Sequence, residues 1–147
     1  MKRASGGGQL KVVVDTNVYI SLFLYPERPI FQVLQRAGKG QYQLLTSPAI
    51  IQELGRVMRE DFEVADKERI RLLKQITAVA EIITPTTALT VITDDPPDNR
   101  ILECALDGKA ALIISGDYHL RRLKAYQGIP IIRPTDFLHT LGVSLKK

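Results

Sequence analysis

Two short runs, Val12-Val13-Val14 and Leu112-Ile113-Ile114, are apolar at every position, and each is followed within three residues by an aspartate. A strand with one wet face alternates apolar and polar residues, so these runs read as central parallel strands covered on both faces. Taken as Lys11–Val14 and 110–115, they join further β-type runs at 42–46, 80–84 and 130–133 to give five strand signals. Helical patterns fill the gaps. They cover 29–37, then 47–60 with Ser47 as N-cap and Pro48 in the first turn, then Asp66–Val79. Another helix opens near Pro97, and further turns follow Asp117 and Thr135, the latter a candidate N-cap. Strands alternating with helices predict an α/β fold with a parallel sheet.

At 147 residues the chain suits one domain with a real core, and 45% hydrophobic against 24% charged content sets it apart from disordered chains. Cys104 has no second cysteine to pair with, and no Cys/His cluster has zinc spacing, so a reducing, cytoplasmic setting is expected. No apolar stretch approaches the roughly 20 residues of a membrane span. Met1-Lys2-Arg3 leads into Ala4-Ser5-Gly6-Gly7-Gly8 and not into the apolar core of a signal peptide. Residues 1–9 are therefore expected as a flexible tail, 10–142 as the folded domain and 143–147 as a second tail. The glycine triplet precedes a strand, which is the wrong side for a phosphate-cradling loop. A net charge of +4 and a pI of 9.3 favour a polyanionic partner.

Asp15 stands where the first strand gives way to a helix. Ser115-Gly116-Asp117 repeats the arrangement after the fourth strand, with Gly116 allowing a sharp turn. Open α/β sheets bind ligands outside the carboxyl ends of their strands, where strand order reverses. If strands one and four are neighbours there, Asp15 and Asp117 face one another. Glu53 borders the apolar stripe Ile50, Ile51, Leu54, Val57 and Met58, and Asp98 shares a face with Ile101, Leu102 and Ala105, so both can reach the same crevice. Four clustered carboxylates repel, and burial disfavours their ionised forms, so the set calls for a cation. All-oxygen donors without convergent histidine or thiol favour Mg2+ or Mn2+ over zinc. Two such ions about 3.5–4 Å apart can activate water and stabilise a departing oxygen, which needs no side-chain nucleophile.

Asp15-Thr16-Asn17 after a Val-rich strand, Glu53 in the helix after strand two, Asp98 opening Asn99-Arg100-Ile101-Leu102-Glu103-Cys104-Ala105, and Ser115-Gly116-Asp117 together resemble the PIN-domain family, over about residues 11–141. The resemblance implies a three-layer α/β/α architecture around a parallel five-stranded sheet of order 3-2-1-4-5. It also implies divalent-metal-dependent ribonuclease activity and frequent homodimers. The chain is similar to prokaryotic members regarded as toxins of toxin–antitoxin pairs, which implies single-stranded RNA as substrate and an antitoxin protein as partner. By position, Asp15, Glu53, Asp98 and Asp117 match the family's catalytic, metal-binding acids, while Thr16, Asn17 and Ser115 match supporting polar positions. The stretch Asp94-Asp95-Pro96-Pro97-Asp98 offers three acids where the family pattern needs one, which leaves Asp95 open as a replacement for Asp98 or an aid to it.

Plainer readings compete at each position. Asp15 could cap the helix that follows it, Glu53 could be a solvated helix residue, and Asp98 could complement a helix dipole. Arg100, Arg121, Arg122 and Lys124 are candidate phosphate contacts acting by counterion release, although a run of cations is usually a solvated face. His119 and His139 lack partner ligands at metal spacing, and Cys104 reads as packed and inert. Two other functions remain in play. One is a catalytically inactive RNA-binding or interaction module with the same fold. The other is a phosphatase with an aspartyl nucleophile, disfavoured because Asp15-Thr16-Asn17 lacks a second aspartate two positions on.

Overall fold

The computed structural model describes residues 9–93 and 96–145. Most of the expected N-terminal tail, Asp94, Asp95 and residues 146–147 lie outside the described residues. In chain order the elements are β1 (Lys11–Val14), α1 (Thr16–Leu24), α2 (Ile30–Gly38), β2 (Gln43–Thr46), α3 (Pro48–Glu60), α4 (Asp66–Val79) and β3 (Glu81–Ile82). They continue with α5 (Asp98–Asp107), β4 (Leu112–Ile114), α6 (Tyr118–Arg121), β5 (Ala125–Tyr126), β6 (Ile129–Ile132) and α7 (Pro134–Leu141).

The sheet runs β3-β2-β1-β4-β6-β5. Every pairing is parallel except β5 with β6. The expected order holds for the five parallel strands, with β6 as the fifth, but the sheet has six strands and not five. The addition arises at Gln127 and Gly128, whose φ values of 47° and 82° make a two-residue turn of the kind that matches strand twist. That turn folds Ala125-Tyr126 back onto Ile129-Pro130 as an antiparallel edge.

The continuously apolar strands serve two cores, as strands covered on both faces must. Val12, Val14, Leu44 and Ile114 face a cluster built mainly from α1, α2, α3, α4 and α7. Val13, Leu45, Ile113 and Ile131 face the opposite cluster, with Ile101, Leu102, Cys104 and Ala105 of α5 and Leu120 of α6. The period of two along each strand thus sorts alternate residues into the two helical layers. Ser47 caps α3 as expected, its hydroxyl accepting from the Ile50 amide at 3.3 Å. At α7 the N-cap is Arg133 and not Thr135, because Pro134 takes the first helical position that suits its fixed φ. Near the termini, Gln9 donates to the Gly40 carbonyl at 2.8 Å, Val143 is buried and Leu145 packs against the first core cluster. Among the described residues no helix is long and apolar enough to cross a membrane.

Candidate metal centre

Strands β1 and β4 are in register with Val14 beside Ile114, so Asp15 and Ser115 leave the sheet side by side. Strand β1 has β2 on one flank and β4 on the other, which is the switch point where such sheets bind ligands. Asp15 fixes its backbone by donating to the Ile114 carbonyl at 2.9 Å. It is the N-cap residue of α1, yet its side chain makes no cap hydrogen bond. Oδ2 accepts instead from the Ser115 hydroxyl at 2.8 Å. The residue is 1% exposed. Burial pushes its pKa up from 3.8 to about 6, and the negative Asp117 adds to the rise, while the Ser115 hydroxyl and the nearby Asn17 and Thr16 amides oppose it.

Ser115 binds both strand ends together. Its hydroxyl also accepts from the Asp117 amide at 3.0 Å, and Asp117 Oδ1 in turn accepts from the His119 amide at 2.7 Å, capping α6. Gly116 is not what permits this turn. Its φ is not positive, and a Cβ there would meet only Pro134 at 3.9 Å, so a side chain would fit. Ser115→Ala removes the donor to Asp15 and the acceptor for Asp117. It is expected to lower Mn2+ affinity by about tenfold, as loss of a group orienting metal ligands typically does, and titration calorimetry would measure it.

Asp98 arrives from a different direction, in the first turn of α5, and is 6% exposed. What aims it is a polar stripe on that helix that the sequence analysis did not single out. Asn99 holds the loop before the helix, accepting from the Ile92 amide at 2.8 Å and donating to the Ile92 and Pro96 carbonyls at 2.8 and 3.0 Å. Glu103 accepts from the Leu89 amide at 2.8 Å and from Arg100 at 2.7 Å. Asp107 accepts from the Thr86 and Thr87 amides and the Thr87 hydroxyl. The spacing of four residues between Asn99, Glu103 and Asp107 was the available signal, since those positions share one helix face.

One carboxylate oxygen from each of Asp15, Asp98 and Asp117 lies within 4.8 Å of the other two. Glu53 lines the same cleft, which has a volume of about 330 Å³ and includes Asp15, Thr16, Asn17 and Asp98. It does not join the three acids. Both of its oxygens are held by Arg56 one turn along α3, at 3.0 to 3.2 Å. Asp95 lies outside the described residues. Among the cations, Arg100 donates to Glu103 and to the Leu89 carbonyl, Arg121, Arg122 and Lys124 are exposed around α6, and Arg122 sits 5.9 Å from the Tyr118 ring. Cys104 is buried, and burial pushes its thiol pKa up to about 12, so it stays an inert packed thiol.

The donor set fits a hard divalent cation. It offers only carboxylate oxygens, it converges from three separate elements, and the buried Asp15 is the group whose ionisation a cation would favour.

A PIN domain family model matches residues 11–119. An uncharacterized protein of Methanocaldococcus jannaschii is 33% identical over 120 residues, which cover 79% of this chain and 76% of that protein. Solved structures share the fold. A protein of Pyrobaculum aerophilum superposes with a TM-score of 0.61 at 14% identity, covering 95% of both chains. VapBC2 from Rickettsia felis bound to a DNA fragment from their promoter gives 0.57 at 14% identity, over 84% of this chain and 98% of that one. The PIN domain endonuclease Utp24 gives 0.52 at 21% identity, over 84% of each chain. With the switch-point acids in place and both the model and the relative spanning most of the sequence, the chain belongs to the PIN-domain family.

Proposed function

We propose that this chain is a divalent-metal-dependent endoribonuclease that hydrolyses phosphodiester bonds of single-stranded RNA in the cytoplasm. The observation that carries the reading is the meeting of Asp15, Asp98 and Asp117 within 4.8 Å. These three hold Mg2+ or Mn2+, which when bound supplies charge neutralisation at the phosphate and activation of water. Ser115 keeps Asp15 and Asp117 in register, and Thr16 and Asn17 line the cleft as polar supports. Glu53 is the fourth ligand in this reading. Its pair with Arg56 is solvent-exposed, and such pairs contribute little, so Glu53 can exchange Arg56 for the ion. Asp95 is kept as an aid to Asp98. The likeness to VapBC2 supports a toxin role with an antitoxin partner, and homodimerisation follows the family resemblance.

Digestion of single-stranded RNA by the purified chain tests the proposal. Cleavage is expected with Mg2+ or Mn2+ and is expected to vanish in excess EDTA. Cleavage that survives EDTA, or that is unchanged in Asp117→Asn, would rule the proposal out. RNA binding without any metal-stimulated cleavage would favour the inactive binding module.

A further inference from the structure

Beside the acidic cleft runs a second concavity, a groove of about 740 Å³ bounded by α3, α4 and the start of α5. The two are continuous, because Glu53, Arg56 and Pro97 line both. Among the described residues the groove is lined by four arginines, Arg56, Arg59, Arg69 and Arg100, against two glutamates, Glu53 and Glu60. Its ion pairs lie within single helices, and those of Arg56 with Glu53 and Glu60 and of Arg59 with Glu60 are exposed, whereas Arg69, its side chain 13% exposed, pairs with the exposed Asp66, and Arg100 pairs with the buried Glu103. Exposed pairs of this kind are weak, so a phosphate can displace the carboxylates. Between the arginines the floor is apolar, with Ile51 and Leu73.

The flank on the Asp117 side differs. Its concavity of about 400 Å³, lined by residues of α1 and α7 among others, includes no lysine or arginine among the described residues. A polyanion centred on the acids therefore finds complementary charge in the groove on the Arg56 side.

We propose that the α3/α4/α5 groove is the track for the single-stranded RNA flanking the scissile phosphate, with Arg56, Arg59 and Arg69 meeting phosphates and the apolar floor taking unpaired bases. The inference rests on the nuclease reading and adds where the substrate lies and why it is single-stranded. A duplex hides its bases and presents its backbone, leaving the floor unused, whereas splayed bases can lie on apolar and guanidinium surfaces. Arg56 also acquires a second role. When Glu53 turns to the ion, the released guanidinium faces the junction of groove and cleft, where the strand must pass.

The test is fluorescence anisotropy with a short fluorescein-labelled single-stranded RNA and the full chain, with Ca2+ replacing Mg2+ to suppress cleavage. The double variant Arg59→Gln/Arg69→Gln lies outside the acid cluster. It is expected to weaken binding about tenfold and to flatten the salt dependence by about 1.4 in log–log slope, two phosphate contacts at about 0.7 each. Lys39→Gln/Lys109→Gln, exposed residues that precede β2 and β4 at the end of the sheet opposite the acids, should leave both quantities unchanged, and a duplex of equal length should bind more weakly. Circular dichroism checks that both variants fold. The inference is overturned if Lys39→Gln/Lys109→Gln takes the loss instead, if the duplex binds as well as the single strand, or if no groove variant changes binding. Binding that depends on Arg59 and Arg69 without any cleavage in Mg2+ would uphold the track while sinking the nuclease reading.

Discussion

Asp15→Asn is expected to lower RNA cleavage on the order of 10²–10³-fold and, in the metal-free protein at neutral pH, to raise the melting temperature. The first effect follows from removing one of the three clustered carboxylates while leaving an amide that still fits beside Ser115. The second follows from linkage. The folded-state pKa of Asp15 is about 6, above the ordinary 3.8, so the folded protein binds this proton more tightly than the unfolded chain does. Ionised Asp15 therefore destabilises the metal-free fold fully above pH about 6, and that penalty disappears as pH falls toward 3.8. A rise from 3.8 to about 6 corresponds to about 3 kcal/mol, which the asparagine variant escapes at pH 7. Its melting temperature should exceed that of the wild type at pH 7, and the gap should close toward pH 4. Added Mg2+ should stabilise the wild type far more than the variant. A variant that retains wild-type cleavage, or melts lower than wild type at pH 7 without metal, would contradict this assignment of the site.

Asn99→Ala is expected to cost about 3 kcal/mol of stability and to weaken metal binding, although Asn99 is not among the acids. Its amide is 2% exposed and closes three hydrogen bonds to the Ile92 and Pro96 backbone. Alanine leaves those groups short of partners, and each buried group left unpaired costs about 1–3 kcal/mol. For a chain of this length that is a drop of about 6–12 °C in melting temperature. Since the same bonds anchor the loop before α5, and Asp98 is the first residue of that helix, Asp98 loses its support when they are removed. Thermal melts and Mn2+ titration of the variant read the two consequences separately. An unchanged melting temperature would mean that the loop is held by other contacts.

The parts of the fold carried by hydrophobic burial were legible in the sequence. The all-apolar runs at Val12–Val14 and Leu112–Ile114 read as covered parallel strands, while the adjacency of their ends, conditional on strand order in the sequence, is shown by the pairing of β1 with β4. Helix α3 announced itself through Ser47, Pro48 and its stripe. Helix α1 was implied after Asp15 but not bounded, because Val18, Tyr19, Ile20, Leu22 and Phe23 are all buried and show no amphipathic period. Strand β5 was missed because two residues carry no periodicity, and its turn residue Gln127 is not one that usually signals a positive φ.

In the site, backbone-positioned acids were readable and side-chain choices were not. Asp15, Asp98 and Asp117 stand at element termini, so their place follows from the topology. Glu53 lies inside a helix, three residues from Arg56, and local pairing decides where its carboxylate goes. The anchoring by Asn99, Glu103 and Asp107 depends on where the 83–97 segment runs, which no local pattern encodes.

Anomalous scattering from a Mn2+-soaked crystal of the wild-type chain tests the central claim most directly. The expected result is a Mn2+ peak bounded by carboxylate oxygens of Asp15, Asp98 and Asp117, each at about 2.1 Å. A peak held by other residues, or no peak between these three at saturating Mn2+, would contradict it.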